Sequence, residues 1–592
     1  MHWIDPDCLQ ETHGTVTQFL LNPHGELDGF ILGENQQVHF PPHMSKQAAK
    51  HISIGDPVKV RGVKPRSTDI VAAVLLTCSS GVAILDEGPH HDGEEHKKPH
   101  AEKRPMEVTG EVKLSLYGPK GELRGALLTD GTSIRMAPHA AAELVSYLKP
   151  GAHIQVWGHG VKNEYGHTIE VDDIAELVDA GSAEANNASE AQQGHAGSFP
   201  GESEIAREQA DNPASRVAAS GGPLVWMHIG DLHLTDAEEP NHLALRDIIA
   251  QANAHLAGHI DFAVLPGDNA DDGTPEQYTI LRSELDKLRL PLHILPGDHD
   301  FKSRSLDAFH SVLGAQQLPK AITVAGCKCI FLDYVSAGTG GPDFKLGKKQ
   351  LKWLKEELES ASTQGLETAV FAHAYPADLA DAGEAKTFHK MLRDHRVLAV
   401  DMGHTHYNEL ANDGKTIYAA TRSTGQIEEG PAGFSILAID RSVVSWRFKP
   451  LDQPWPVAMI TSPADRRLVT RSHSPSHVPS GRTTVRAKAW SAEGIEQVEC
   501  RIGDTEWRPM ALDTSTQSWT LETEIPDEPF KIFVRATDLS GSTDTDSIDI
   551  VTTPEALEER HAHGSDEDTV GVWDEKHIFG TQLGPNRNGR KW

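Results

Sequence analysis

The chain has 592 residues and a formal net charge of -31, from 55 Lys plus Arg against 86 Asp plus Glu. At ordinary domain sizes of roughly 100 to 200 residues, this length predicts about three or four domains. The acidic balance argues against a general attraction to nucleic acid or to an anionic membrane surface. Because the first residues lack a basic and apolar leader pattern, and no apolar run approaches the roughly 20 residues of a membrane helix, we expect a cytoplasmic protein.

An internal repeat occupies the N-terminal part of the chain. The stretch Gly14–Gly29 aligns without gaps with the stretch Gly110–Gly125. Each copy has the pattern of a strand, a Pro-x-Gly turn, two strands, a short helix and two further strands, which is the order of a five-stranded OB-like barrel. We therefore predict OB-like barrels at residues 1–84 and 109–178, with a flexible linker at residues 85–108.

Binding of nucleic acid through these barrels is compatible with their fold class but is not favoured by the net charge. Barrels that bind single strands combine a cationic groove with exposed aromatic residues, and aromatic residues are scarce in both copies. Only the first copy has a group of basic residues near its fourth strand: Lys59, Arg61, Lys64 and Arg66. Protein contact or structural packing is at least as well supported, since fold analogy is a weak argument for function.

Residues 179–222 form a second linker. The stretch is rich in Ala, Ser, Gly, Asn, Gln and Glu and has no apolar periodicity, so we predict that it is disordered. The barrel pair should therefore be tethered to the rest of the chain rather than rigidly fused to it.

Five short blocks of Asp and His follow, and each comes directly after an apolar run. Strands that end on such residues can bring them to one sheet edge, where open α/β folds bind ligands. A single block could arise by chance in a chain with 33 His, but five blocks at successive strand ends indicate a shared site. The blocks are Gly230–His233, Gly267–Asn269, Gly297–Asp300, Ala372–Ala374 and Gly403–His406. Carboxylate and imidazole together suit Mn, Fe or Zn better than Ca or Mg.

These blocks resemble the motifs of the calcineurin-like metallophosphoesterases, from about Leu224 to about Asp440. Within that family the nearest resemblance is to bacterial cyclic-nucleotide (class III) phosphodiesterases, through the segments Gly267–Gly273, Leu346–Leu354 and Ser423–Gln426. The resemblance implies an αββα sandwich of two mixed sheets flanked by helices, at residues 223–450. The purple acid phosphatases carry Tyr where this chain has Asp271, so we do not expect a purple enzyme.

The resemblance also implies a role for each residue of the blocks. The first metal would be held by Asp231, His233, Asp268 and His406, and the second by Asp268, Asp298, His373 and His404. A hydroxide bridging the two metals would be the nucleophile. His299 would act as general acid or as a donor to the phosphoryl oxygen, with Asp300 orienting its ring.

One position departs from the family pattern, because Asp298 stands where most members have Asn. An ionised Asp only accepts hydrogen bonds, so it would hold the second metal more tightly and repel a phosphate oxygen. The departure from Asn therefore predicts weaker catalysis at a complete metal site.

The C-terminal part has the pattern of short alternating strands separated by Gly- and Ser-containing turns, at Thr483–Trp490, Ile495–Ile502, Ser518–Glu524, Phe530–Ala536 and Asp546–Val551. This pattern predicts an immunoglobulin-like or fibronectin-like β-sandwich at residues 451–553. The tail at residues 554–592 is predicted to be an extended strap that docks on another domain. The whole chain is thus predicted to be a multidomain α+β protein.

Two functions from different classes follow. The first is a dinuclear metal-dependent phosphohydrolase, a phosphodiesterase for a small phosphate ester such as a cyclic nucleotide, with a nuclease guided by the barrels as the alternative within the enzyme class. The second is a metal-stabilised regulatory or scaffold protein with weak catalysis. We expect no membrane partner, and a homo-oligomer is compatible with the sequence.

Overall fold

The computed structural model describes residues 6, 9, 11–64, 70–86, 103–118, 123–137, 140–141, 144–176, 222–339, 343–425, 430–470, 479–526, 529–551 and 568–579. They form a multidomain α+β protein with two N-terminal five-stranded barrels, a central region of two mixed sheets with helices, and two C-terminal antiparallel sheets. No helix within these residues has the length and apolar character needed to cross a membrane.

The two barrels have the same element order and the same closure. The first consists of β1 (Glu11–Leu21), β2 (Leu27–Leu32), β3 (Gln36–His39), α1 (Ser45–His51), β4 (Pro57–Val63) and β5 (Ile70–Thr77), with β6 (Ala83–Leu85) added beside β5. The second consists of β7 (Arg104–Tyr117), β8 (Leu123–Leu128), β9 (Thr132–Arg135), α2 (Val145–Leu148), β10 (His153–Asn163) and β11 (Gly166–Glu176). Parallel pairing of β3 with β5, and of β9 with β11, closes each barrel.

The barrels pack against each other through equivalent residues of the repeat. Leu20 and Ile31 of the first barrel form one buried cluster with Leu116 and Leu127 of the second, and the alignment of Gly14 with Gly110 makes these two pairs counterparts. Polar contacts flank the cluster, including a hydrogen bond of 2.8 Å from Gln37 Nε2 to the carbonyl of Ser115. The apolar part of the contact thus uses equivalent residues of both copies, as the interface of a symmetric homodimer does.

The first barrel also contacts the central region. Leu9 and Val63 form a small buried cluster with Tyr407, and Val74 packs against it. This contact corrects the expectation that the barrel pair is only tethered, although the linker at residues 179–222 lies outside the described residues apart from Gly222.

The central region has two sheets packed face to face. One has the order β14-β13-β12-β21-β22 and the other the order β15-β16-β17-β18-β20-β19. The strands are β12 (Leu224–His228), β13 (Phe262–Leu265), β14 (Leu292–Ile294), β15 (Lys320–Val324), β16 (Cys327–Phe331), β17 (Glu367–Ala372), β18 (Val397–Met402), β19 (Glu409–Asn412), β20 (Ile417–Ala420), β21 (Gly433–Asp440) and β22 (Val443–Pro450). The helices are α3 (Pro240–Gln251), α4 (Pro275–Leu285), α5 (Asp307–Ser311), α6 (Gly347–Gln364) and α7 (Ala382–Asp394).

Most strands of the two sheets are buried on both faces, whereas the edge strand β15 is partly exposed and β22 has polar residues on one face, Ser445, Arg447 and Lys449. Between the sheets lies an aromatic core in which Trp226, Phe262 and Phe371 are fully buried and in ring contact. Helices cover the outer faces, with Leu354 of α6 and Phe388 of α7 in the core of the second sheet. This layering agrees with the αββα arrangement expected from the sequence.

Local sequence signals set the ends of the helices. Thr274 caps α4 by accepting a hydrogen bond of 3.3 Å from the Gln277 N–H, and Pro275 occupies the first turn. Helix α6 ends at Gly365, which has a φ of 68°, a left-handed conformation that glycine adopts without strain.

The C-terminal part is a sandwich of two four-stranded antiparallel sheets with the orders β23-β24-β28-β27 and β26-β25-β29-β30. Its strands are β23 (Val457–Ser462), β24 (Arg482–Trp490), β25 (Ile495–Ile502), β26 (Arg508–Pro509), β27 (Ala511–Asp513), β28 (Ser518–Glu524), β29 (Phe530–Asp538) and β30 (Thr543–Ile550).

Residues 568–579, which we call the strap, return to the central region. Thr569 forms an isolated β-bridge with Ala411, and the Val570 N–H donates to the carbonyl of Leu410 at 2.8 Å. Trp573 and Ile578 are buried in the core between the two central sheets. The described part of the tail is thus docked, while its residues 554–567 and 580–592 lie outside the described residues.

Candidate metal centre

The five Asp and His blocks meet at one edge of the central region. Asp231, Asp268 and Asp298 follow the parallel strands β12, β13 and β14 of one sheet. His373 follows β17, and the segment with His404 and His406 follows β18 of the other sheet. Parallel strands of both sheets end at this edge, so residues far apart in the chain become neighbours.

One group of four donors matches the residues expected for the second metal. A ligand atom from each of Asp268, Asp298, His373 and His404 lies within 4.8 Å of the others. Nε2 of His373 is 3.2 Å from Oδ1 of Asp298 and 3.5 Å from Oδ1 of Asp268. Two carboxylates and two imidazoles within such a distance can hold one transition-metal or zinc ion.

A second group shares Asp268 and contains three of the four residues expected for the first metal. Ligand atoms of His233, Asp268 and His406 lie within 4.8 Å of one another. Nε2 of His233 is 3.0 Å from Nε2 of His406 and 3.6 Å from Oδ2 of Asp268.

Asp231 lies beside this group of three rather than within it. Its carboxylate accepts hydrogen bonds of 3.1 and 3.2 Å from the His404 N–H, and Oδ1 is 3.8 Å from Nδ1 of His373. Its assignment to the first metal remains a prediction, and the structure places its carboxylate between the two histidine segments.

The backbone is held in uncommon conformations at four of these positions. His233, Asp268, His404 and His406 have φ values of 42°, 50°, 66° and 67°, in the left-handed region that costs free energy for residues other than glycine. Such conformations cluster at functional sites because they direct side chains toward a common point. Residues with a positive φ therefore follow three different strands of this centre, β12, β13 and β18.

Glycines precede the ligands because the site has no room for a Cβ atom. A Cβ on Gly297 would lie 2.1 Å from Oδ1 of Asp268, and one on Gly403 would lie 2.4 Å from Oδ1 of Asp231. The Gly-Asp and Gly-His pairs of the sequence blocks therefore reflect close packing around the donors.

The donor set fits two cations. Nδ1 of His373 is 3.0 Å from the carbonyl oxygen of Pro266, and an N–H donated there leaves Nε2 as a lone-pair donor toward the centre. Burial raises the pKa of Asp231 to about 7. Although burial opposes it, the carboxylates of Asp268 and Asp298 raise the pKa of His373 to about 10, so the centre attracts positive charge strongly.

His299 lies next to the first group of donors. The backbone N–H of His299 donates to Oδ1 of Asp268 at 2.9 Å. The centroid of the His299 ring is 4.4 Å from that of the His233 ring. Burial lowers the pKa of His299, but the carboxylates of Asp268 and Asp271 outweigh it and raise that pKa to about 9. A cationic imidazole beside the donors can donate a proton or a hydrogen bond to a substrate oxygen.

The predicted partner of the His299 ring is wrong. Nδ1 of His299 lies 2.8 Å from the carbonyl oxygen of Asp271 and 3.1 Å from its Oδ1. The oxygens of Asp300 instead accept from the Gly297 N–H at 2.9 Å and the Tyr278 hydroxyl at 2.8 Å, and also from Asn269. Asp300 therefore ties the loops after β13 and β14 together.

Asp271 is the site residue that sequence reasoning missed. Its Oδ1 also lies 3.3 Å from Nδ1 of His233, and Lys302 pairs with the same carboxylate at 3.8 Å. It thus contacts a predicted ligand and the predicted acid at once. The only signal in the sequence was its place three residues after Asp268.

Comparison with known families agrees with this centre. Residues 225–408 match the model of the calcineurin-like phosphoesterases. This part of the chain is therefore similar to a calcineurin-like phosphoesterase domain. The match covers less than half of the chain, and the barrels and the C-terminal sandwich lie outside it.

Among curated proteins, the chain is 30% identical over 170 residues to the glycerophosphodiester phosphodiesterase GpdQ of Enterobacter lignolyticus, which covers 27% of this chain and 59% of that protein. It is 30% identical over 83 residues to the 3',5'-cyclic-nucleotide phosphodiesterase alr5338 of a Nostoc species, covering 13% of this chain and 31% of that protein. The chain thus spans less than two thirds of the length of these relatives. A solved dimetal phosphatase from Danio rerio is 15% identical, with a TM-score of 0.33 over 39% of this chain and 98% of that one.

Proposed function

We propose that the phosphoesterase domain is a dinuclear metal-dependent phosphodiesterase for a small phosphate diester. The observation that carries this proposal is the pair of donor groups joined by Asp268, with His299 in contact with Asp268. This arrangement brings two cation positions and a proton donor to one buried edge, as hydrolysis of a phosphate ester requires.

The proposed cofactors are two divalent or trivalent ions of Mn, Fe or Zn. Asp231, His233, Asp268 and His406 would hold the first, and Asp268, Asp298, His373 and His404 the second. When bound, such ions make water a better nucleophile near neutral pH and neutralise the charge on the phosphoryl oxygens.

The residues of the chain have distinct tasks in this proposal. Asp268 belongs to both donor groups, and its carboxylate also orients His299 by accepting a hydrogen bond from the backbone N–H of that residue. His299 donates to a phosphoryl oxygen or to the leaving group, and Asp271 fixes the orientation of the His299 ring. Asp300 keeps the two loops in register, so it acts through the backbone rather than on the substrate.

A diester is favoured over a monoester by the charge of the centre. Asp298 contributes a negative carboxylate where the family's Asn would contribute a neutral amide. Near neutral pH a phosphate monoester has a charge of about -1.5 to -2, whereas a phosphate diester has a single negative charge. Repulsion by Asp298 is therefore weaker for the diester. The names of the two curated relatives, both phosphodiesterases, support the same class, and a cyclic nucleotide is the diester we place first.

The test is turnover of bis(p-nitrophenyl) phosphate against p-nitrophenyl phosphate, with Mn²⁺ titrated into the full chain. We expect at least about tenfold higher kcat/KM for the diester, the effect of roughly 1.4 kcal/mol. A chain that binds two Mn²⁺ per molecule and hydrolyses neither compound would instead be the metal-stabilised scaffold. Hydrolysis confined to oligonucleotides would favour the nuclease.

A further inference from the structure

The two loops that hold Asp231 and His406 are connected by one short segment, residues 422–424, which we call the brace. The hydroxyl of Ser423 donates to the carbonyl of Asp231 at 2.8 Å, and the Thr424 N–H donates to the same oxygen at 2.9 Å. The Ser423 N–H donates to the carbonyl of His406 at 3.1 Å. The brace therefore sets the distance between two of the residues assigned to the first metal.

Close packing makes this connection rigid. Gly230, directly before Asp231, lies against the brace, and a Cβ there would be 2.3 Å from the carbonyl oxygen of Arg422. The Arg422 N–H donates to Oδ1 of Asn408 at 2.8 Å, two residues beyond His406. A shift of Arg422 would thus reach both ligand loops through backbone contacts.

Arg422 is in turn held by the strap. Its side chain is 2% exposed, and Nη2 donates to the carbonyl of His577 at 3.1 Å. Asn408 Nδ2 donates to the same carbonyl at 3.0 Å. The guanidinium carbon lies over two aromatic rings, 5.1 Å from the centroid of Phe448 and 5.0 Å from that of Phe579.

The central region alone does not supply this environment. Phe448 and the carbonyl of Pro431, which accepts from Nη1 at 3.2 Å, belong to it, whereas His577 and Phe579 come from the strap. A buried guanidinium that loses an acceptor and one aromatic face becomes costly in its present place. Arg422 would move toward water if the strap left, and the brace would move with it.

We propose that Arg422 is a positioning residue for the first metal and that the strap holds it in place. The inference rests on the proposed function only in taking the first donor group as a metal site. It assigns to residues 568–579, outside the region matched by the family model, a share in the affinity of that site. Partners of a metal ligand beyond the direct donors commonly change metal affinity by about 10 to 100-fold.

The test is a titration of the metal-free full chain with Mn²⁺ alone. In a His404→Ala background only the first donor group stays complete, and in a His406→Ala background only the second does. We expect Phe579→Ala to lower Mn²⁺ affinity by about 10-fold or more in the first background and by less than about threefold in the second. Arg422→Gln should act in the same direction.

Two matched variants separate positioning from a general loss of stability. Phe579→Tyr keeps an aromatic face over Arg422 and should retain wild-type affinity. Glu575→Gln lies in the same strap but pairs with Lys531 of the sandwich at 3.2 Å, so it should also leave the affinity unchanged. Equal losses in both backgrounds, or no loss with Phe579→Ala, would overturn the proposal.

The outcome does not depend on turnover. If the wild-type chain binds two Mn²⁺ without hydrolysing any ester, the proposed function fails while the titration still decides the role of Arg422. If the chain is an active phosphodiesterase and Phe579→Ala leaves both affinities unchanged, only this inference fails. Should Arg422→Gln not fold, Phe579→Ala gives the answer, because the Phe579 ring is only partly buried.

Discussion

Asp268 is the residue on which the whole centre depends, because it belongs to both donor groups. We expect Asp268→Ala to lose both metals and all phosphodiesterase activity together. Metal content per chain after dialysis is the measurement, with Asp236→Asn, an exposed carboxylate after β12, as the control. A variant that retains two metals per chain would contradict the shared role.

His299 contacts the donors without being one of them. We expect His299→Ala to keep both metals and to lower kcat by about 10² to 10⁴, the range for loss of an acid or base group. Asp271→Asn should lower kcat less, because the carbonyl of Asp271 still accepts from the ring. Unchanged turnover in His299→Ala would exclude the residue from the mechanism.

Asp298 is the departure from the family pattern, and its Oδ1 is within 3.5 Å of both His373 and His404. We expect Asp298→Asn to retain or raise activity on the diester, since the amide can donate to phosphate and removes one negative charge. Asp298→Ala should instead weaken the second metal. Steady-state kinetics together with Mn²⁺ titration distinguishes these results, and an inactive Asn variant with two metals bound would show that the carboxylate has a role of its own.

At the scale of elements, the sequence predicted strand ends better than it predicted loop contacts. Asp298, His373 and His404 could be grouped in advance, because an apolar run followed by Asp or His places that residue at a sheet edge wherever the strand pairs. The partner of His299 could not, since it depends on how the loop after Asp268 folds back. Asp271 and Asp300 are both carboxylates close to the site blocks in the sequence. Only the structure shows that the ring of His299 contacts Asp271 and not Asp300.

Alternation of apolar and polar residues predicted the strands of the C-terminal sandwich only in part, and β23, β26 and β27 were not predicted. The strands expected at Ile495–Ile502 and Ser518–Glu524 have those bounds in the structure. The docking site of the strap was beyond prediction, because the apolar residues that hold it, such as Trp573 and Ile578, lie in a short stretch without helical or strand periodicity.

Strand β3 of the first barrel contains a titratable core residue that predicts acid sensitivity. Burial lowers the pKa of His39 to about 4, below its ordinary value of about 6.5. Its neutral form contributes stability that is fully present above pH ~6.5 and is lost as the pH falls toward 4, at up to about 1.4 kcal/mol per unit. Thermal unfolding of the full chain between pH 7.5 and 4.5 should therefore show a flatter profile in His39→Gln than in the wild type.

The exposed His24 provides the control for this experiment, since it lies in the neighbouring hairpin of the same barrel. His24→Gln should follow the wild-type pH profile. Parallel profiles for wild type and His39→Gln would show that the buried imidazole is not what links barrel stability to pH.

For the whole molecule, every predicted ligand lies in the central region, and the first barrel contacts it at Tyr407. A chain that begins at Gly222 should bind two metals and hydrolyse bis(p-nitrophenyl) phosphate at a rate close to that of the full chain. Because Leu9 and Val63 would no longer cover Tyr407, its midpoint of thermal unfolding should be lower. Loss of metal binding in this fragment would mean that the barrels complete the metal centre. A larger loss of hydrolytic activity on oligonucleotides than on the small diester would indicate that the barrels select substrates.

The packing of the two barrels through the shared cluster of Leu20, Ile31, Leu116 and Leu127 affects how their association depends on protein concentration. A homodimer with this interface would dissociate on dilution, whereas two copies in one chain meet at a fixed effective concentration. Their association is then independent of how much protein the cell makes. Duplication within one chain also lets the two copies differ in sequence. His39 of the first barrel corresponds in the repeat to Arg135 of the second, whose guanidinium donates to Oδ1 of Asp28 across the interface at 2.8 Å. A homodimer has the same residue at this position in both subunits and could not have such a difference on one side only.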